Sequence, residues 1–148
     1  MSAAHVTLRG TEKVFTRAGS NDRVHAFGPV DVELRKGEFF AVVGPSGCGK
    51  STMLELIAGL TTPTSGTVAF EGRTIAGRIP DGVGVVFQED ACFPWLNIRD
   101  NIAFGLRRSP LGQAEKQARI AGALNMMGLA GFAESYPAQL SGGMRQRV

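Results

Sequence analysis

Cysteine is scarce: the protein holds two, Cys48 and Cys92, among 148 residues. Neither sits in a CxxC pair or at metal-ligand spacing, which excludes a disulfide scaffold and a cysteine-ligated metal site. Two isolated thiols are the usage of a protein kept in a reducing compartment. No stretch approaches 18 consecutive apolar residues, so no segment reads as a membrane-spanning helix, and any membrane association must run through a partner. The first ten residues, MSAAHVTLRG, contain no apolar signal core. No run of five like charges occurs, and a net charge of +3 with a pI near 9.2 is a mildly basic mixed surface; no nucleic-acid partner is expected. Internal repeats and low-complexity tracts are also missing. What remains is a globular composition, 43% apolar and 20% charged, with enough residues for one domain with a real core.

The pattern along the sequence alternates strands and helices. HVTLRGTEKVF predicts a strand, and TRAGSNDR a polar turn. VDVELRKGE places Val30, Val32 and Leu34 on one face of a second strand that turns at Lys36–Gly37. FFAVV and GVGVVFQ are continuous apolar runs, the pattern of strands covered on both faces. Residues 50–60 have helical spacing, with Met53, Leu54, Ile57 and Ala58 on one side and Gly59 near the end. TVAFEG predicts another short strand. NIRDNIAFGL and QAEKQARIAGALNMMGL predict helices, the second with Ile120, Leu124 and Met127 on one face. Pro137 breaks the pattern, and a further helix opens at SGGMRQRV.

The segment GPSGCGKST fits G-x-x-x-x-G-K-[ST], with Gly44, Gly49, Lys50 and Ser51 at the fixed positions. Glycines let successive backbone N–H groups turn inward around a phosphate, and a helix opening at Lys50 aims its positive end at the same point. Pro45, Ser46, Gly47 and Cys48 complete the cradle. Lys50 supplies a point charge for the β- and γ-phosphates, Ser51 a hydroxyl for Mg²⁺, and Thr52 a hydroxyl for the α-phosphate. Cys48 is either a small apolar filler or a thiol activated by the helix end. A second candidate phosphate site lies at LSGG, where Ser141 can cap a helix that begins with Gly142 and Gly143. Phe15 is either a core aromatic or a platform for a flat base.

The loop, LSGG followed by QR, and Gln88 after GVGVVF together resemble the ATP-binding subunit of ABC transporters, over essentially all of Val6 to Val148. The stretch EDACFPWLNIRDNIAFGL is similar to the nitrate, sulfonate and taurine group of importers. The resemblance implies an α/β P-loop NTPase core with an N-terminal antiparallel β subdomain and a helical subdomain at about 97–139, incomplete at the C-terminus. It implies ATP and Mg²⁺ as cofactors, with adenine stacked on Phe15. Gln88 would reach Mg²⁺ or the attacking water, making Lys50 and Gln88 the catalytic candidates and Ser51 and Gln88 the metal candidates. Ser141, Gly142 and Gly143 would contact the γ-phosphate held by a second subunit, so that two copies pack head to tail around two nucleotides. Further implied partners are transmembrane permease subunits at the cytoplasmic face of the inner membrane and, indirectly, a periplasmic or extracellular substrate-binding protein. Phe93, Pro94, Trp95 and Leu96 form an apolar knot suited either to a permease helix or to internal packing.

Two decoys are set aside by their order. Glu89 and Asp90 follow an apolar run but precede LSGG, whereas the family's Mg²⁺-holding aspartate and catalytic glutamate come after it. His5 and His25 precede the loop and are not its switch histidine. With those later groups missing from these 148 residues, the expectation is weak nucleotide binding and little hydrolysis. Two other readings share these motifs: a soluble ABC-type ATPase acting on nucleic acid, and a non-catalytic nucleotide-binding remnant.

Overall fold

The computed structural model describes residues 4–17, 19–75, 77–88 and 91–148. They divide into two compact units, Met1–Val85 and Val86–Val148. Glu89 and Asp90, the two acidic decoys, lie outside the described residues.

The first unit is a four-stranded antiparallel sheet with one helix against it. Strand β1 (Ala4–Thr16) pairs with β2 (Arg23–Arg35) on one side and β3 (Ser65–Phe70) on the other, and the two-residue β4 (Arg73–Thr74) borders β3. The turn between β1 and β2 closes where Arg17 N–H donates to the Asp22 carbonyl. β2 runs seven residues further toward the N-terminus than the alternation at Val30–Leu34 predicts. The register sets Leu8 opposite both Val32 and Val68, and Val6 opposite Leu34 and Phe70, so one face is apolar across three strands.

Helix α1 (Lys50–Ile57) lies on that face, against β2 and β3. Val6, Leu8, Phe27, Met53, Leu56, Val68 and Ile75 form the core, with Leu8, Leu56 and Val68 fully buried. The helix ends as its sequence requires. Gly59 takes φ +73, Gly59 N–H donates to the Leu56 carbonyl, and Leu60 N–H reaches back to the Glu55 carbonyl, the double bond that closes a helix on a left-handed glycine. The buried face differs from the expected one by a residue. Leu54 is exposed and Leu56 takes its place, because at 100° per residue the arc facing the sheet runs through Met53 and Leu56.

Thr11 is the single polar residue buried among the described ones, and its hydroxyl donates to the Thr67 carbonyl at 2.8 Å. Thr11→Val keeps the shape and deletes that bond, so it should lower stability by about 1 kcal/mol. Urea unfolding checks this as a lower midpoint at constant slope.

Two predicted strands do not form. FFAVV (39–43) takes no regular structure and joins no ladder, with Phe39 94% and Val43 88% exposed. GVGVVFQ (82–88) is likewise irregular, with Val86 93% exposed. An apolar run encodes burial on two faces, but a strand also needs neighbours to accept and donate its backbone bonds. No described strand pairs with either segment.

The second unit is helical. Helix α2 (Ile98–Phe104) opens on Asn97, whose side-chain oxygen accepts from Asp100 N–H at 2.7 Å. The first N–H groups of α2, at Ile98 and Arg99, donate to the carbonyls of Ser135 and Ala133, so the helix start is tied to the loop that follows α3 (Gln113–Met126). α3 also ends on a left-handed glycine, Gly128, with Leu129 N–H donating to the Leu124 carbonyl. Ile98, Leu124, Leu129, Ala133 and Leu140 form this unit's core, flanked by Ile120 and Met127 as the periodicity predicts. The short helix α4 (Gly142–Arg145) adds Met144 and the following Val148 to the same cluster.

Candidate functional site

The candidate phosphate cradle, residues 44–52, occupies the approach to α1. Gly49, at the N-cap, is left-handed at φ +93, and the helix start carries no side-chain cap. The first helical bond runs from Met53 N–H to the Gly49 carbonyl. The N–H groups of Lys50, Ser51 and Thr52 therefore have no partner within the helix and point out of its start, where the helix dipole is positive. Lys50 folds back over the loop. Its ammonium donates to the Gly44 carbonyl at 2.9 Å and the Pro45 carbonyl at 2.6 Å, and lies 3.6 Å from the Cys48 sulfur. A cation is thus held on the loop that leads into a set of free N–H donors, a combination suited to the oxygens of a polyphosphate.

Local packing explains why the loop must be glycine-rich. A Cβ on Gly49 would lie 2.5 Å from the Ala26 carbonyl oxygen and 3.2 Å from the Phe27 ring, both on β2. The backbone at the helix start rests directly on the sheet, and only hydrogen fits there. Ser46, Gly47 and Cys48 are exposed on the turn, Ser51 is exposed on the first helical turn, and Thr52 is half-buried.

Phe15 is near the end of β1, opposite Val24, and 42% exposed. It is not a core residue. The Lys13 ammonium lies 5.0 Å from the ring centroid and also donates to the Thr62 carbonyl. A cation over the ring is a contact that sequence reading missed, although two residues at i and i+2 along a strand share a face.

Gln88 is exposed and belongs to the second unit, where its backbone carbonyl accepts from Gln146 Nε2 at 3.4 Å. Ser141 takes the N-cap position of α4, and its backbone carbonyl accepts from Met144 and Arg145 N–H, but its hydroxyl makes no capping bond. Ser141, Gly142 and Gly143 are exposed side by side. Arginines seat this turn: Arg145 donates to the Leu140 carbonyl, and Arg147 to the carbonyls of Gly143 and Met127. Their roles are set by where α3 ends, so no sequence pattern announced them.

The donor set suits a magnesium ion that arrives with its nucleotide. Among the described residues no three His, Cys, Asp or Glu side chains converge to hold a metal. Ser51 offers one hydroxyl, and Mg²⁺ characteristically binds through one or two protein oxygens, phosphate and water.

The fold, with an uncapped glycine loop on an antiparallel sheet and a helical unit, is that of a nucleotide-binding cassette. The protein belongs to the ABC transporter family: the family model matches residues 27–148. It is 54% identical over 116 residues to a taurine import ATP-binding protein, TauB, of Pseudomonas aeruginosa, covering 78% of this sequence and 43% of that one. It is 52% identical over 144 residues to a spermidine/putrescine import ATP-binding protein, PotA, of Methylococcus capsulatus, covering 96% of this sequence and 37% of that one. These 148 residues therefore span about two fifths of the length of these relatives. Among solved structures the match includes the dimeric ATP-binding cassette MJ0796 bound to ADP and Pi, with a TM-score of 0.82 at 32% identity, over 96% of this sequence and 66% of that one.

Proposed function

We propose that the protein is the nucleotide-binding part of an ABC importer's ATP-binding subunit, taking Mg·ATP at the Gly44–Thr52 loop. The observation that carries this is the Lys50 ammonium folded back onto the Gly44–Pro45 loop beside the uncapped start of α1. Lys50 neutralises the β- and γ-phosphates, and the free N–H groups of the helix start take their oxygens. Ser51 would hold Mg²⁺, which when bound offsets charge on the phosphates. Thr52 faces the α-phosphate, and Phe15 offers its ring to adenine. Gln88 would orient the water or the metal. Ser141, Gly142 and Gly143, exposed on their own turn, would meet the γ-phosphate on a second copy packed head to tail, in keeping with the dimeric cassette that the fold matches. No helix of the described residues is long and apolar enough to cross a membrane. Attachment to the cytoplasmic face would run through a permease, with Trp95, 70% exposed, in the contact. A substrate-binding protein would act through that permease.

The expected substrates are taurine-, sulfonate- or nitrate-like anions, in line with the PWLN–DNIAFGL stretch and the taurine relative. The nearly equal match to a polyamine importer's subunit supports a second reading in which the transmembrane partner, not this protein, sets the substrate class. The 148 residues by themselves should hydrolyse ATP little, because no aspartate–glutamate pair follows Ser141 within them.

Calorimetric titration of the protein with Mg·ATP, and with inorganic phosphate as control, tests the reading; no saturable ATP heat would overturn it. Phe15→Ala should weaken ATP by about 1–3 kcal/mol, the worth of one stacked base. It should change the affinity for tripolyphosphate, which has no base, far less. Equal losses for both ligands would remove Phe15 from the base site.

A further inference from the structure

Helix α1 carries the candidate phosphate loop at its start, and the segment that leaves its end grips β1. Residues 58–64 form neither helix nor strand, yet they bond to three successive residues of β1. Thr64 N–H donates to the Glu12 carbonyl at 2.8 Å. The Thr64 hydroxyl accepts from Val14 N–H at 3.0 Å and donates to the Val14 carbonyl at 3.2 Å. Between these two, the Lys13 ammonium donates to the Thr62 carbonyl at 2.7 Å. A hydroxyl both accepts and donates, so Thr64 continues the pairing of β1 beyond Glu12 and Ser65, where the β1–β3 ladder stops.

The next residue along β1 is Phe15. Lys13 is half-buried, and its ammonium, held at Thr62, lies 5.0 Å from the centroid of the Phe15 ring. The ring face beside Thr62 is therefore taken by the protein's own cation, and the opposite face is the one left for a ligand. A cation drawn to the negative face of a ring also opposes rotation of that ring. The start of α1 is seated as well, because Gly49 rests against the Ala26 carbonyl of β2. Both ends of α1 are thus tied to the two strands beneath it. A base and its phosphates belong to one molecule of limited reach. A ring held in one pose relative to the loop lowers the ordering cost of binding both.

We infer that Lys13 is a positioning residue for the base: tethered to Thr62 behind α1, its ammonium covers one face of Phe15 and presents the other face for stacking. This rests on the nucleotide reading above, and it adds the residue that sets the ring's pose. Lys13 acts through the ring and not on the phosphates.

Lys13→Met keeps most of the side chain's length and deletes the ammonium. At about 0.15 M salt, where distant charges are screened, it should weaken Mg·ATP about two- to fivefold by calorimetry. Tripolyphosphate affinity should stay as in the parent. Lys13→Arg keeps a donor for Thr62 and a cation for the ring, and should recover most of the loss. A cycle with Phe15→Ala separates positioning from charge attraction: once the ring is gone, Lys13→Met should weaken ATP no further. Equal losses for ATP and tripolyphosphate, or a loss that persists without the ring, overturn the proposal. Unchanged ATP affinity in Lys13→Met overturns it too, and leaves the base site standing if Phe15→Ala still separates ATP from tripolyphosphate. Absence of any saturable ATP heat in the parent removes the base site and its positioning residue together. The free protein supplies a further test without nucleotide. The Phe15 ring current should move the Lys13 ε-methylene protons upfield of those of Lys36, which is exposed on its turn, and Phe15→Ala should abolish the difference. Matching Lys13 and Lys36 shifts in the parent overturn the contact.

Discussion

Lys50→Ala should weaken Mg·ATP binding by about 100-fold or more. On the proposed reading Lys50 makes charge-assisted bonds to two phosphate groups, each worth about 1.5–3 kcal/mol, and losing 3 kcal/mol is already a factor of about 150. The lysine is not part of the core, and its present partners are the carbonyls of Gly44 and Pro45 at the loop surface. Stability should therefore change by no more than about 0.5 kcal/mol. Lys50→Arg should recover only part of the affinity. Its planar fork cannot reproduce a compact ammonium turned inward over a loop of this radius. Calorimetry for affinity and thermal unfolding for stability separate the two quantities. An unchanged dissociation constant in Lys50→Ala would show that the nucleotide does not sit on this loop.

Gly49→Ala should damage fold and site together. At φ +93 an L-residue is strained by about 1–2 kcal/mol. The new methyl would also meet the Ala26 carbonyl oxygen at 2.5 Å, a backbone atom of β2 that cannot turn aside. The start of α1 must then lift off β2. Against a total cost of about 3 kcal/mol, the unfolding midpoint should fall by roughly 10 °C. Nucleotide affinity should drop as well, because the free N–H groups at Lys50, Ser51 and Thr52 move with the helix. Gly47→Ala is the control: it shares a positive φ of +81 but faces open space. It should cost only the strain and leave the helix in place. Equal midpoints for the two variants would mean that the contact with Ala26 does not restrain the helix.

Much of the second unit was legible because its helices are amphipathic, although the stretch predicted for α3 ran on through Gly128 and Leu129, past the observed end at Met126. The 3.6-residue spacing of Ile120, Leu124 and Met127 names the face of α3 that is buried. Gly59 and Gly128 stand one residue past a helix cap, where a left-handed residue closes the last turn. The phosphate loop was legible for a related reason: each fixed position in its pattern answers a local requirement, φ beyond zero at Gly49 and a charge at Lys50. By contrast, Leu54 and Leu56 are both leucine on one short helix, and a shift in the arc facing the sheet decides which is buried.

FFAVV shows the limit most sharply. Its composition asks for burial on both faces, and that much is readable from residues alone. Whether it becomes a strand depends on neighbours that supply backbone donors and acceptors, and no described strand does so. The same distinction runs through the functional residues. The amino-acid sequence by itself determined which groups each candidate site offers: a lysine and a glycine-rich helix start, an aromatic ring on β1, a Ser-Gly-Gly turn. Only the tertiary structure decided which groups hold those sites in place. Lys13 reaching Thr62, Arg147 reaching Met127 and Ala26 lying under Gly49 are contacts from strand to loop, between two elements or from sheet to helix. They depend on how segments pack, and packing is set by the whole core rather than by any local run of residues.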